Sequence, residues 1–205
     1  MIDPPPFSTV KLKKLGIPDS LVEWVIISHC HGDHDAGVFQ KILDTEKVEV
    51  ITTKTIMGSF IRKYSAITGL QPEKTSSLFK FRPVTIGAPC YINGGQFRFF
   101  YSLHTIPAIG FSVTYHGKSL YFSADTFYWP EKMQEMVQKG VMTQERCDDL
   151  CNNKFNHDII LHEAGVPPIH TPMKVLAELS DDIKKNMYLV HVAEKDIIPN
   201  SGLKQ

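Results

Sequence analysis

The order of apolar and polar positions along the chain predicts an alternation of strands and helices in its first third. Residues 21–28 (LVEWVIIS) and 48–53 (VEVITT) are short, mostly apolar runs, typical of strands buried on both faces. Phe7 to Leu15 predicts a short helix that ends at Gly16, and Val38 to Leu43 also has helical character. Thr53 is a suitable N-cap for a helix that runs to Gly69.

The rest of the chain predicts strands first and then helices and strands in alternation. Two turn sequences, Asn93-Gly94-Gly95 and His116-Gly117-Lys118, indicate tight connections between strands. An amphipathic helical pattern follows from Pro130 to about Asn152. The predicted strands cover residues 81–86, 96–103, 111–115, 119–123, 158–161 and 188–192, with a helix over 172–179. Because strands and helices both alternate and cluster, we predict an α+β protein in which layers of mixed sheet are covered by helices.

Length and charge favour a single-domain protein and give no indication of a nucleic-acid or membrane partner. The 205 residues suit a single domain over 1–205. Lys plus Arg equals Asp plus Glu at 22 each, so no global basic field favours a nucleic-acid partner. The N-terminus lacks the basic and apolar regions of a signal peptide, and no apolar run has the length of a membrane span. We therefore expect a cytoplasmic location and no membrane association.

The strongest chemical feature is the segment His29-Cys30-His31-Gly32-Asp33-His34, directly after the first predicted strand. Neutral imidazole nitrogen and carboxylate oxygen are ligands that suit zinc, iron or manganese. Residues two apart in an extended segment point the same way, so His29 and His31 can bind one ion. Asp33 and His34, beyond the bend at Gly32, can reach a second ion.

This segment resembles the H-x-H-x-D-H motif of the metallo-β-lactamase superfamily. His104, Asp125 and His191 then stand in the order of that superfamily's distant ligands, each near the end of a predicted strand. The resemblance implies a four-layer αβ/βα sandwich with two divalent metal ions. It implies that His29, His31 and His104 bind one ion, that Asp33, His34 and His191 bind the other, and that Asp125 bridges them.

Within that superfamily the chain is most similar to the ribonuclease Z-like and phosphodiesterase branch. The similar stretches are His29 to Gly37, His162-Glu163-Ala164 and His170-Thr171. The resemblance implies that His170 contacts the scissile phosphate and protonates the leaving oxygen, while Asp33 orients the nucleophile. His162 and Glu163 would position these groups.

The function expected from these residues is metal-dependent hydrolysis of a small phosphodiester, such as a cyclic nucleotide, by a metal-bridging hydroxide. Zinc is the favoured metal, with iron or manganese as alternatives. The long basic arm of the tRNA-processing enzymes has no obvious counterpart, so a small-molecule substrate is favoured over tRNA. Phe127, Tyr128 and Trp129, just after Asp125, either stack on a base or pack in the core.

Several other interpretations stay open from the sequence. A thioester hydrolase like glyoxalase II shares the metal ligands, although Ala36-Gly37 stands where that family has Gly-Gly and His170 has no role there. A tRNA 3′-processing endonuclease and an inactive metal-binding fragment are further alternatives. Only 28 residues precede His29, so we expect a domain that lacks its first N-terminal strands, with an exposed edge and a tendency to form homo-oligomers.

Overall fold

The computed structural model of the protein describes residues 1–45, 48–152 and 155–205. The chain forms two compact units, residues 1–86 and residues 87–205. We describe each unit by itself. In the described part of the chain, no helix combines the length and the apolar character needed to cross a membrane.

The first unit is built on a parallel sheet of three strands in the order β1-β2-β3. Parallel neighbours require crossover connections, and helices supply them here. The strands are β1 (Trp24–Ile26), β2 (Glu49–Thr52) and β3 (Lys80–Pro83), and the helices are α1 (Ser8–Lys14), α2 (Gly32–Thr45), α3 (Lys54–Thr68) and α4 (Pro72–Ser76). Helix α2 lies between β1 and β2, and helices α3 and α4 lie between β2 and β3.

The extreme N-terminus pairs with the edge strand of this sheet. Ile2 forms an isolated parallel bridge with Ile26. The Ile26 backbone nitrogen donates to the Met1 carbonyl at 2.9 Å, and the Asp3 nitrogen donates to the Ile26 carbonyl at 3.0 Å. The bridge holds Asp3 beside the carboxyl end of β1, where the candidate ligands begin.

The predicted elements of the first unit are largely confirmed, with shifted boundaries. Helix α3 begins after Thr53, whose Oγ1 accepts from the Ile56 nitrogen at 3.3 Å, and it ends at Gly69 with φ 73°. These are the expected N-cap and left-handed C-terminal glycine. The predicted strand over 21–28 is shorter, because Asp19–Leu21 forms a 3₁₀ turn before β1. The short helix α4 was not predicted.

Gly37 lies inside α2 where the N-terminal segment crosses that helix. Its nitrogen donates to the Pro4 carbonyl at 3.0 Å. A Cβ at this position would overlap the carbonyl oxygens of Pro4 and Pro5. The close approach of two backbones gives a physical reason for glycine at 37.

Gly37→Ala is expected to destabilise the first unit by about 3 kcal/mol, because two carbonyl oxygens must move and a hydrogen bond is strained. Gly58→Ala is the matched control. Gly58 also lies inside a helix, and a Cβ there would meet only Arg62 Nη1 at 3.6 Å. The control should stabilise the protein by about 0.5–1 kcal/mol. Denaturant unfolding of both variants measures the contrast, and equal effects would contradict the close approach.

The second unit is built on a mixed sheet of six strands in sequential order from β4 to β9. The pairs from β4 to β7 are antiparallel, and β7, β8 and β9 are parallel. The strands are β4 (Pro89–Ile92), β5 (Gly95–Tyr101), β6 (Ile109–Tyr115), β7 (Lys118–Phe122), β8 (Ile159–Glu163) and β9 (Met187–Val190). The helices are α5 (Pro130–Gln138), α6 (Gln144–Cys151), α7 (Met173–Ala177) and α8 (Asp181–Lys184).

Strand direction in this sheet brings four carboxyl ends to one edge. Strand β5 runs antiparallel to β6 and therefore in the same sense as β7, β8 and β9. His104 follows β5, Asp125 follows β7, Glu163 ends β8 and His191 follows β9. The sheet thus places chemically active side chains on one edge of the second unit.

The tight turn predicted at Asn93-Gly94-Gly95 and the hairpin predicted at His116-Gly117-Lys118 are both present. Asn93 and Gly94 have φ 45° and 81°, and His116 and Gly117 have φ 47° and 74°. Two successive positive φ values are typical of the tight turns that match strand twist. The amphipathic pattern over 130–152 was predicted as one helix but forms two, because Gly140 has φ 68° between α5 and α6. Neither α8 nor β4 was predicted.

Candidate functional site

The first unit contributes four of the predicted ligands, which we call the first-unit group: His29, His31, Asp33 and His34. His29 and His31 lie in the loop after β1, as expected. Asp33 and His34 lie in the first turn of α2, which begins at Gly32. The motif is therefore half loop and half helix, and the regular turn of α2 sets the spacing of its last two members.

Hydrogen bonds turn the ring nitrogens of this group in defined directions. Ser28 Oγ donates to Asp3 Oδ2 and therefore accepts from His29 Nδ1, at 2.9 Å. His29 then has its lone pair on Nε2, which lies 3.1 Å from His31 Nδ1. An imidazole whose outer nitrogen donates a hydrogen bond is the arrangement found around bound metals.

Asp3 is a site residue that the sequence did not reveal. Its Oδ1 accepts from the Ser28 nitrogen at 2.7 Å, and its Oδ2 lies 3.2 Å from His34 Nδ1. Asp3, His29 and His34 each offer a ligand atom, and these atoms lie within 4.8 Å of one another. Because Asp3 binds the Nδ1–H of His34, it leaves Nε2 of that ring, 3.4 Å from Asp33 Oδ2, as the lone-pair nitrogen.

Cys30 lies between two predicted ligands but has a different environment. Its Sγ is 3.4 Å from the Ile56 carbonyl in α3. Burial raises the pKa of the thiol to about 12, and the nearby Asp35 carboxylate also raises it. A thiol that stays protonated is a poor metal ligand, so the alternation of side chains leaves His29 and His31 as the donors.

An ion pair between Asp35 and Lys63 stabilises the loop that carries His29 and His31. Asp35 is fully buried, and Lys63 Nζ donates to its two carboxylate oxygens at 2.6 and 2.8 Å. The same ammonium donates to the Cys30 carbonyl at 3.0 Å, and Tyr64 Oη donates to Asp35 Oδ1 at 2.9 Å. Helix α3 therefore holds the backbone between His29 and His31 through one lysine.

Lys63→Met is expected to lower the free energy of unfolding by about 3 kcal/mol, because Asp35 would remain buried without its cation. This is the low end for a broken buried pair, since 29% of the Lys63 side chain is exposed. Arg62→Met removes the same charge from an exposed neighbour and should have almost no effect. Adding Asp35→Asn to Lys63→Met should recover part of the loss, and a purely additive double variant would contradict a coupled pair.

The second unit contributes four further residues, which we call the second-unit group: His104, Asp125, His170 and His191. Asp125 is at its centre and is 3% exposed. Its Oδ2 lies 3.9 Å from His104 Nε2, 3.8 Å from His170 Nδ1 and 3.8 Å from His191 Nε2. The rings of His170 and His191 stack with centroids 5.0 Å apart. Three histidines from separate loops therefore surround one buried carboxylate.

Unusual backbone conformations accompany two of these positions. Ala124, just before Asp125, has φ 51°, and His191 itself has φ 64°. Left-handed conformations are unfavourable for residues with a Cβ and are found where the surrounding structure enforces them. Here they turn the chain sharply at the ends of β7 and β9, next to the side chains of the group.

Glu163 connects His170 to the backbone around it. Its Oε1 accepts from the Thr171 nitrogen at 2.8 Å and from the Thr126 nitrogen at 3.3 Å, and its Oε2 lies 3.1 Å from His170 Nδ1. Burial is the main reason that the pKa of Glu163 is raised to about 8; the charge of Asp125 acts in the same direction, while the hydrogen bonds from Thr171 and Thr126 act against it. Glu163 thus contacts both His170 and the backbone of the loop that follows β7.

His162 has a different environment from Glu163. It is 1% exposed, and its Nδ1 lies 2.7 Å from the Glu163 carbonyl. Its ring packs against those of Tyr128 and Phe155, with centroids 5.9 and 5.6 Å away. These contacts favour a packing role for His162.

The chemistry of both groups fits divalent transition-metal ions. The donors are imidazole nitrogens and carboxylate oxygens, the combination that zinc, iron and manganese accept. Three of the imidazoles have Nδ1 directed to an oxygen: His29 to Ser28, His34 to Asp3, and His104 to the Ile169 carbonyl at 3.4 Å. In each case Nε2 is left as the ligand atom, which is the tautomer that metal binding requires.

Solved structures establish the type of fold. The metallo-β-lactamase fold protein YhfI from Bacillus subtilis superposes with a TM-score of 0.67, covering 98% of this chain and 78% of that one, at 14% identity. The predicted metallo-β-lactamase fold is therefore confirmed. At this level of identity the similarity concerns the fold alone.

Two curated proteins of Dictyostelium discoideum are similar in sequence. The cGMP-dependent 3′,5′-cGMP phosphodiesterase A is 48% identical over 204 residues, which is 100% of this chain and 23% of that protein. The cAMP/cGMP-dependent 3′,5′-cAMP/cGMP phosphodiesterase B is 43% identical over 191 residues, 93% of this chain and 17% of that protein. The chain thus spans less than a quarter of the length of either relative.

A family model covers almost the whole chain. It describes the Anti-Pycsar protein Apyc1 and matches residues 1–200. The matched range includes the first-unit group, the second-unit group, Asp3 and Glu163. The chain accordingly belongs to the family of the Anti-Pycsar protein Apyc1.

Proposed function

We propose that this chain is a metal-dependent phosphodiesterase that hydrolyses 3′,5′-cyclic nucleotides. One structural observation carries the proposal: each unit presents imidazoles and a carboxylate whose outer atoms are already fixed by hydrogen bonds. The names of the two Dictyostelium relatives supply the substrate class. The activity named for those full-length relatives is proposed for this chain as well.

The two groups are proposed to act together on two divalent ions. In this assignment His29, His31 and His104 bind one ion, Asp33, His34 and His191 bind the other, and Asp125 bridges them. The fold and the donor chemistry of each group support the assignment. Zinc is the favoured metal, because it is commonly bound by imidazole nitrogens and carboxylate oxygens. Iron and manganese are alternatives.

When bound, two divalent ions would neutralise charge on the phosphodiester and would make a water available as the nucleophile at neutral pH. The remaining roles are proposed for the chain's own residues. Asp33, exposed at the start of α2, is proposed to orient the attacking water. His170, held at Nδ1 by Glu163, has Nε2 directed away from that carboxylate, so this atom is the proton donor to the leaving 3′ oxygen.

Two features favour a small phosphodiester over the rival substrates. The balance of 22 basic and 22 acidic residues provides no global field for a polyanion such as tRNA. A thioester hydrolase would have no use for a histidine positioned as His170 is by Glu163. Its leaving thiolate departs without protonation, whereas an alkoxide requires a proton.

The test uses the purified 205-residue chain with cGMP, cAMP and a glutathione thioester as parallel substrates. We expect hydrolysis of at least one cyclic nucleotide, loss of that activity after chelation, and recovery on adding Zn²⁺, Mn²⁺ or Fe²⁺ alone. Metal analysis should find about two ions per chain, the number of a two-metal site. Thioester turnover without cyclic nucleotide turnover, or activity that survives complete metal removal, would overturn the proposal.

A further inference from the structure

An apolar cleft in the second unit is not explained by the proposed metal chemistry. It has a volume of about 270 Å³, and its walls include Phe127, Trp129, Pro167 and Pro168, with Lys132 among the polar residues at its margin. Ligand pockets for whole small molecules are larger, about 300–1,000 Å³. The cleft therefore suits one flat ring system that is part of a larger ligand.

Both walls of the cleft continue directly into residues of the second-unit group. Phe127 follows Asp125 by two positions, and Pro168 precedes His170 by two. The loops that carry the walls are bonded to each other: the Tyr128 nitrogen donates to Thr171 Oγ1 at 2.9 Å, and this hydroxyl donates to the Thr126 carbonyl at 2.8 Å. The cleft is therefore formed by the same two loops that carry Asp125 and His170.

The second wall of the cleft belongs to the segment 166–169, whose four residues are apolar and yet exposed. Val166 is 77% exposed and Ile169 is 39% exposed, and the two prolines between them are also exposed. On its other side this segment accepts a hydrogen bond from His104 at the Ile169 carbonyl. Four consecutive apolar residues at the surface beside a catalytic histidine indicate a surface that a ligand covers.

The charge around Trp129 favours an anionic aromatic ligand. Lys174 Nζ lies 4.5 Å from the centre of the indole, and Lys132 Nζ lies 5.8 Å from it. Lys132 lines the cleft, and its Nζ donates to Glu135 Oε1 at 2.6 Å. Lys174 is not among the residues that line the cleft. An indole with ammonium groups beside it is a surface on which a polar aromatic ring such as a nucleobase can stack.

From this geometry we propose that the cleft between Trp129 and Pro167-Pro168 is the subsite for the nucleobase of the cyclic nucleotide. The proposal rests on the proposed function for the identity of the ligand. It makes Trp129 a specificity-determining residue that stacks on the base, and it gives the exposed 166–169 segment the role of the opposite wall.

The first experiment separates base recognition from catalysis. Trp129→Ala should raise KM for cGMP and cAMP about 5- to 150-fold, the range expected when stacking on one base is lost. The same variant should leave kcat nearly unchanged, and turnover of the base-free analogue 1-deoxyribose 3′,5′-cyclic phosphate should be unaffected. Trp129→Phe keeps an aromatic face and should restore most of the affinity.

A second experiment needs no turnover. The sequence has two tryptophans, so Trp24→Phe leaves Trp129 as the sole indole. In this variant 5′-GMP or 5′-AMP should quench the tryptophan fluorescence in a saturable way, whereas ribose 5-phosphate should not. Failure of the proposed function would appear as absent cyclic nucleotide hydrolysis with quenching retained.

Two results would overturn the subsite itself. One is an equal change in KM for the cyclic nucleotides and the base-free analogue in Trp129→Ala. The other is the absence of saturable quenching by both nucleotides in Trp24→Phe, with the metal content of the wild type.

Discussion

Replacement of His31 by alanine is expected to remove bound metal and phosphodiesterase activity together. His31 Nδ1 lies 3.1 Å from His29 Nε2, so the two rings present adjacent donors in the loop after β1. Loss of a residue that only positions a ligand costs about 10- to 100-fold in metal affinity or activity, and loss of a ligand itself should exceed that range. Metal content per chain and the rate of cyclic nucleotide hydrolysis are the two measurements.

A matched histidine gives the control for this replacement. His116 is exposed in the turn between β6 and β7 with φ 47°, a conformation that asparagine tolerates. His116→Asn should therefore keep wild-type metal content, activity and thermal stability. Because His31 lies in a loop and is only partly buried, His31→Ala should unfold at nearly the temperature of the metal-free wild type. Retention of metal and activity in His31→Ala would remove this residue from the ligand set.

Replacement of His170 by alanine is expected to lower turnover of cyclic nucleotides while metal content stays unchanged. General acid catalysis by a positioned side chain contributes about 10²- to 10⁴-fold, so the rate should fall by that amount. The Nδ1 of His170 faces Glu163 at 3.1 Å and Asp125 at 3.8 Å, which leaves Nε2 to carry the transferred proton. The comparison of rates with metal analysis separates this role from ligation.

A substrate with a better leaving group tests the same role more sharply. Bis-p-nitrophenyl phosphate releases p-nitrophenolate, which departs without protonation, so His170→Ala should hydrolyse it at close to the wild-type rate. A ribose alkoxide needs the proton, and the defect should appear only with cyclic nucleotides. Because Asp125, His170 and His191 offer ligand atoms within 4.8 Å of one another, loss of metal from His170→Ala would instead make His170 a ligand.

The raised pKa of Glu163 matters for the interpretation of both experiments. Burial raises this pKa to about 8, so the carboxyl group takes up a proton more readily in the folded protein than an exposed glutamate does. Because the pKa of Glu163 is higher in the folded than in the unfolded protein, the free energy of unfolding decreases as the pH rises above the unfolded-state pKa. The decrease is complete once the pH exceeds the folded-state pKa of about 8. Variants of His170 should therefore be compared with the wild type at one fixed pH.

Much of the fold was accessible from local pattern. The strands β1, β2 and β6 to β9, the capped helix α3 and both hairpins follow from apolar runs, one N-cap threonine and glycine-containing turns. Boundaries were less accurate, since Gly140 divides the predicted helix over 130–152 into α5 and α6. A glycine inside an amphipathic pattern is compatible with a continuous helix or with a break, and packing decides between the two.

The candidate ligand residues could be selected from the sequence because metal chemistry restricts the residue types strongly. Imidazole and carboxylate at close spacing from His29 to His34 have few other uses, and the order of His104, Asp125 and His191 followed from the resemblance. The residues that orient these candidate ligands could not be predicted from the sequence. Asp3 could not be recognised as a site residue, because an aspartate before a run of three prolines is common in turns, and its partners Ser28 and His34 are far away in the sequence.

The sequence by itself indicated most of the elements and, through the family resemblance, the metallo-β-lactamase fold and the candidate metal ligands, because apolar periodicity and the segment from His29 to His34 are local features. Tertiary structure alone decided that Asp3 holds His34, that Lys63 joins buried Asp35 to the loop at Cys30, and that Gly37 must admit the Pro4 carbonyl. The physical reason is that hydrogen bonds and close packing depend on distances through space. Segments far apart along the chain reach those distances only when strands and helices have packed.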